Sequence, residues 1–166
     1  AAYRYPYDFT ILKPDHNDNY LSFYIQGIQS SNYKKMIIKL AKIISADLSV
    51  SLTQQTLNPK GGDKIDVNNI VANLGPEALA SANVEITVTP LDAISSIVVT
   101  DSGSDTSSVN ANIASLSLKN ISTSSQRTTG IQIQTKEDFY GTITVQSSVS
   151  LAGGTDPLLT NNTVSK

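Results

Sequence analysis

Apolar residues at every second position, in short runs broken by turn formers, restrict this chain more than any other feature. Leu48, Val50 and Leu52 occupy one face of Ala46-Asp-Leu-Ser-Val-Ser-Leu-Thr53, with polar residues between them. That period of two is the mark of a half-buried strand. It recurs in Ile65-Asp66-Val67, in Val84-Glu-Ile-Thr-Val88, in Ile131-Gln-Ile-Gln134 and in Thr142-Ile-Thr-Val145, continuing to Val149 and Leu151. Between the runs stand Asn58-Pro-Lys-Gly-Gly62, Gly75-Pro76, Asp101-Ser-Gly-Ser104 and Gly153-Gly154, where the φ freedom of Gly or the locked φ of Pro turns the chain. Roughly seven short strands at this spacing predict an all-β, immunoglobulin-like antiparallel β-sandwich over residues 46–166.

Composition agrees and removes several chemistries. Of 166 residues, 22 are Ser and 16 are Thr, while charged residues make up 16%, below the roughly 25% of an ordinary soluble domain. Hydroxyls on this scale suit strand surfaces and turns. The absence of Cys excludes thiol catalysis, disulfides and Cys-ligated metals, and the lone His16 leaves no His cluster. Neither a cofactor nor a metal is therefore expected. A net charge of −2 argues against a nucleic-acid partner. No apolar run reaches the roughly 18 residues of a membrane span, and no signal-type segment is present. An exported chain would then be the mature form after signal removal, and Ala1-Ala2 suits the far side of a small-residue cleavage site.

The averages conceal two unlike parts. Residues 1–45 hold Tyr3, Tyr5, Tyr7, Phe9, Tyr20, Phe23, Tyr24 and Tyr33, leaving only Phe139 and Tyr140 for the rest. The first part carries six Lys or Arg against Asp8, Asp15 and Asp18, a charge of +3; the second carries six against eleven Asp or Glu, a charge of −5. The expected organisation is an aromatic-rich extension over residues 1–45, an extended strand followed by a hairpin, and a sandwich over residues 46–166. Opposite charge lets the two parts attract one another.

The second part also resembles a known family. Ala46-Asp-Leu-Ser-Val-Ser-Leu-Thr53, the opening Gly61-Gly62-Asp-Lys-Ile-Asp-Val, Ala72-Asn-Leu-Gly-Pro76, the run from Val84 to Pro90 and the ending Asp156-Pro-Leu-Leu-Thr-Asn-Asn-Thr163 are similar, in order and spacing, to the repeat domain of unknown function that occurs in tandem in large bacterial and archaeal surface proteins. The cell-adhesion-related domain of bacteria shares this frame. Two departures stand out: Leu74 takes the place of a usual second Asn, and residues 93–118 lack the family's Leu-Pro-x-Gly segment and Cys. The resemblance implies an extracellular sandwich that acts as spacer, stalk or adhesive unit, without enzymatic activity.

Tyr3, Tyr5, Tyr7, Phe9 and Ile11 alternate strictly with Arg4, Pro6, Asp8, Thr10 and Leu12. An extended strand places those five side chains on one face. Burial of each is worth roughly 1.5–3 kcal/mol, so the face calls for a groove. Two grooves are open to it. The segment can add an edge strand to its own sandwich, which Pro6 tolerates, or it can be donated to the sheet of the next molecule. Three features favour donation: enrichment in aromatics and Arg, charge complementarity, and the polar, turn-rich Pro14-Asp-His-Asn-Asp-Asn19, which lets the strand swing away. Head-to-tail donation does not close on itself unless the rotation forms a ring, so the expected product is an open filament. Residues 20–28 and 33–44 read as a hairpin around Gln29-Ser-Ser-Asn32. Tyr33, Met36, Ile37, Leu40 and Ile44 also fit a helical period among Lys34, Lys35, Lys39 and Lys42, so a cationic amphipathic helix competes there.

The remaining candidates have plainer readings. Asp15, Asn17 and Asn19 open like a calcium loop, but Tyr20 and Gln26 stand where Gly and Glu are required. Residues 101–105 read as a loop, and His16 reads as a solvated one. Glu77, Glu85 and Glu137 show no pairing of the glycosidase kind. The lysines of residues 34–42 read as a solvent face. Asn120 and Asn161 head glycosylation sequons. No catalytic residue is expected. The leading expectation is a non-enzymatic subunit of an extracellular filament or pilus-like appendage. Its partner would be another copy of itself, head to tail, with other cell-surface components as secondary partners. The competing one is a stand-alone or modular adhesion or spacer domain whose N-terminal strand packs on its own sheet.

Overall fold

The computed structural model describes residues 20–26 and 33–39 in backbone, and residues 45–56, 59–101, 103 and 105–166 in full. The expected donor strand with Tyr3, Tyr5, Tyr7, Phe9 and Ile11, the stretch from Pro14 to Asn19 with His16, and the turn at residues 29–32 lie outside the described residues. The chain divides into two compact units, Ala1–Ile43 and Ile44–Lys166.

In the first unit, strands β1 (Tyr20–Gln26) and β2 (Tyr33–Lys39) pair antiparallel, from Tyr20 opposite Lys39 to Gln26 opposite Tyr33. Residues 33–39 are thus strand, and the helical spacing there yields to a neighbour that satisfies the backbone across a ladder.

The second unit is an all-β, immunoglobulin-like antiparallel sandwich. Its strands are β3 (Leu48–Gln54), β4 (Lys64–Asn73), β5 (Leu79–Thr89), β6 (Ile94–Asp101), β7 (Thr106–Asn110), β8 (Ile113–Ile121), β9 (Ser125–Thr135), β10 (Thr144–Leu151) and β11 (Thr163–Ser165). One sheet runs β3-β4-β9-β6 and the other β11-β10-β5-β8-β7. Alternation puts Leu48, Val50 and Leu52, then Ile65, Val67 and Val71, then Ile131 and Ile133, on the inner face of the first sheet. Val84, Ile86 and Val88, Leu116 and Leu118, and Val145 and Val149 face them from the second. The buried apolar side chains among the described residues are all Ala, Val, Leu or Ile, with Phe139 only partly buried against them.

Residues 93–118 contain β6, β7 and the start of β8. β6 slips register on β9 twice, between Ile94 and Ser96 and between Val99 and Asp101, as bulged edge strands do. All five residues of β7 are exposed, so it carries no inward face for a pattern to report.

The chain comes into the sandwich at one end and leaves at the other. At the first end the Ala46 N–H donates to Thr155 O (3.1 Å) and the Leu74 N–H to Asp47 O (2.7 Å). The Asp156 carboxylate takes the Leu48 N–H (2.9 Å) and the Asn162 amide (3.0 Å) on Oδ2, and the Leu158 N–H (3.0 Å) on Oδ1. A carboxylate holding several N–H donors is a strong local tie, and this one fastens the closing segment to the start of β3. At the far end Lys166 and Val145 exchange backbone bonds of 2.8 and 2.9 Å.

Candidate functional site

β3 is an edge strand, and its register determines which backbone groups it leaves open. The Leu74 N–H reaches Asp47 O and the Gln55 N–H reaches Asp66 O, so the odd-numbered residues of this stretch face β4. By the alternation of an antiparallel ladder, the N–H and C=O of Leu48, Val50, Leu52 and Gln54 point outward. Asp156 takes the Leu48 N–H. No other described residue meets Val50 or Leu52 on that edge. Their side chains meanwhile point into the core. Two rungs on that edge thus have no partner among the described residues, beside an apolar interior.

At the Gln54 end of this edge, a cavity of about 130 Å³ opens between the sheets. Ile65, Val67, Phe139, Ile143 and Val145 form its apolar wall, while Gln54, Lys60, Thr135 and Lys166 supply polar groups. Phe139 is the one aromatic side chain among its lining residues, and it packs against the otherwise aliphatic core. An apolar cavity of about 150 Å³ is known to take up benzene, so this one matches a single aromatic ring. Its mixed lining suits tyrosine, whose body is apolar and whose tip is wet.

Exposed apolar side chains gather at both ends of the sandwich. Tyr140 is 91% exposed and Leu91 57% beside the cavity end, while Leu74, Leu158 and Leu159 are exposed at the opposite end. Val98 and Val109 are exposed as well, on β6 and β7, and single exposed apolar residues of this kind are ordinary.

The other sequence candidates do not assemble into a site. The Glu77 carboxylate accepts the Ser45 N–H (3.1 Å) at the incoming end. Glu85 lies mid-strand opposite Ser115 and Ser148, and Glu137 packs under Gly62 at the cavity end. The three carboxylates thus stand apart. Asp105 accepts the Lys119 N–H and so belongs to a loop. No group of three or more His, Asp or Glu side chains fit to hold a metal occurs among the described residues. Asn120 is exposed at a positive φ of 52°, leaving its amide open to a glycan. The Asn161 amide nitrogen instead donates to Asp47 Oδ1 (2.8 Å), which occupies the atom a glycan would need. Among the described residues no helix is long and apolar enough to cross a membrane.

Sequence reasoning missed the cavity, because its lining comes from five separate stretches of chain. The one available signal was the pair Phe139-Tyr140, the only aromatics beyond residue 45.

No protein-family model matches this chain, and no curated protein matches it. Among solved structures it is similar to a chain of the type I cohesin–dockerin complex Coh-OlpA-Doc918 from Clostridium thermocellum, at 12% identity and a TM-score of 0.41, over 62% of this chain and 82% of that one. A chain from the complex of the sixth cohesin of Acetivibrio cellulolyticus scaffoldin B with a Cel5 dockerin gives 12% identity and 0.41 over 64% and 82%. One from the complex of a CaDoc0917 variant with CaCohA2 gives 14% identity and 0.40 over 63% and 84%.

Proposed function

We propose that this protein is a structural subunit of an extracellular filament or pilus-like surface appendage. The aromatic segment of one copy adds as a strand along the open β3 edge of the next and seats a ring in the cavity at its end. Backbone rungs would supply affinity and alternate side chains the specificity, as in other strand-addition complexes. The observation that carries this reading is the match of three patterns: aromatics at every second position from Tyr3 to Phe9, outward backbone groups at every second position of β3, and a ring-sized cavity where that edge ends. Polarity supports it as well. The chain enters the sandwich at the Asp156 end, whereas the cavity opens at the Lys166 end, so a head-to-tail row brings each leading segment to the preceding copy's cavity. Charges of +3 and −5 favour the same contact. Membership of residues 46–166 in the tandem surface-repeat family belongs to this proposal, as do export and the lack of enzymatic activity.

Electron microscopy and size-exclusion chromatography of the purified chain test it. Filaments are expected from the intact protein, and a folded monomer from the variant lacking residues 1–14. Solitary intact particles, or a deletion variant that unfolds, would place the segment in its own core.

One observation favours the modular adhesion reading. The outer face of the five-stranded sheet holds a shallow trough of about 510 Å³ lined mainly by Ser, Thr, Asn83 and Glu85, together with Val84 and Leu116. The register sets Ser150, Asn83, Ser117 and Thr106 in one rung, and Ser148, Glu85, Ser115 and Ser108 in the next. Such a face suits a polar ligand. A chain that stays monomeric yet binds cells would establish that reading instead.

A further inference from the structure

The tie at the incoming end contains two oxygens that its hydrogen bonds leave over. Asn161 Oδ1 and Asn162 Oδ1 are buried, and neither has a partner. Asn162 is only 7% exposed. Each unpaired buried acceptor costs roughly 1–3 kcal/mol, so two in adjacent residues call for an explanation.

Neither amide can be relieved by turning it over. The Asn161 NH2 donates to Asp47 Oδ1 (2.8 Å) and the Asn162 NH2 to Asp156 Oδ2 (3.0 Å). A flip would set each carbonyl oxygen against a carboxylate, so the partners fix both orientations. Asp47 and Leu48 are consecutive, and the Leu48 N–H binds the same Asp156 oxygen as Asn162 does. Both carboxylates and both amides therefore belong to one cluster. It gathers two negative charges and two orphaned carbonyl oxygens, with Asp47 Oδ2 left over as a further acceptor.

We propose that Asp47, Asp156, Asn161 and Asn162 bind a divalent cation. Every donor is oxygen, with no nitrogen or sulfur ligand, which selects a hard ion. Calcium fits better than magnesium, because it accepts six to eight oxygens in irregular geometry, whereas magnesium demands a near-ideal octahedron. Water completes the shell on the solvent side, where Asp47 and Asp156 are only half-buried. With two carboxylates, the affinity belongs in the range of about 10⁻⁴–10⁻³ M typical of extracellular calcium modules. The ion would clamp the closing segment to the start of β3. This proposal is independent of strand donation.

The test uses the full chain stripped with a chelator and titrated with CaCl2, with MgCl2 and NaCl as controls, followed by calorimetry and thermal melting. The expected result is saturable calcium binding and a melting temperature higher by roughly 3–10 °C at about 10 mM calcium. Magnesium should produce a smaller rise and sodium none. Asp47→Asn keeps an acceptor for Asn161 but removes a charge, so it should fold and lose most of the calcium-dependent rise. Asn162→Ala is the second variant and should weaken calcium binding at least tenfold. Equal melting with calcium and chelator would overturn the site and leave a trapped water as the partner of the two oxygens. An undiminished calcium effect in both variants would overturn it too, by placing the ion elsewhere.

Discussion

Asn69 and Ser147 face each other between the sheets, 1% and 0% exposed, and the hydroxyl donates to the amide oxygen at 2.7 Å. A polar pair in an aliphatic core is tolerable only while both members are matched. Ser147→Ala should therefore destabilise the fold by about 1–3 kcal/mol through the orphaned amide. Urea unfolding would register this as a lower midpoint with unchanged slope. Nothing in the alternation announces the pair. An Asn on a strand reads as a solvent-facing position, and its burial follows only from the partner that the opposite sheet supplies. Asn73-Leu-Gly-Pro76 was more legible. Its turn signature is realised by the Asn73 side chain, which accepts the Gly75 N–H (3.1 Å) and donates to Glu77 O (2.9 Å). Gly75 is required there because a Cβ would lie 2.4 Å from the Asp47 nitrogen.

Among the strands, legibility followed the inward face. β3, β4, β5, β9 and β10 each bury an alternating apolar set, so period-two reading finds them. β7 buries nothing and β11 spans three residues; both are strands because a neighbour pairs with them, which local sequence does not encode. The outward rungs of β3 were equally hidden, since they depend on register and leave no mark on side-chain pattern. Filling the cavity tests that edge without touching the aromatic segment. Ile143 is half-buried on its wall, and Ile143→Trp should occupy the space that the proposed function assigns to an incoming ring. The variant is expected to fold, to melt within a few degrees of the parent, and to stay monomeric in sedimentation velocity. Filaments from it would separate the cavity from assembly.

For the molecule as a whole, the proposed function puts donated segment and acceptor on one chain, so a detached segment should compete with the attached one. A synthetic peptide of residues 1–14 in excess is expected to shorten filaments in proportion to its concentration, as seen by electron microscopy. A peptide with Tyr5 and Phe9 both replaced by Asp should not, because burying an unpaired carboxylate is costly. The fold also determines how such a row would bear load. The chain enters at Ser45 beside Thr155 and ends at Lys166 beside Val145. β3 and β11 both run from the first pole to the second, in different sheets. Tension between the two poles would then draw β3 lengthwise past β4 and β11 lengthwise past β10. Ladder bonds lie across the strands, so they would resist together in shear instead of parting one by one like a zip.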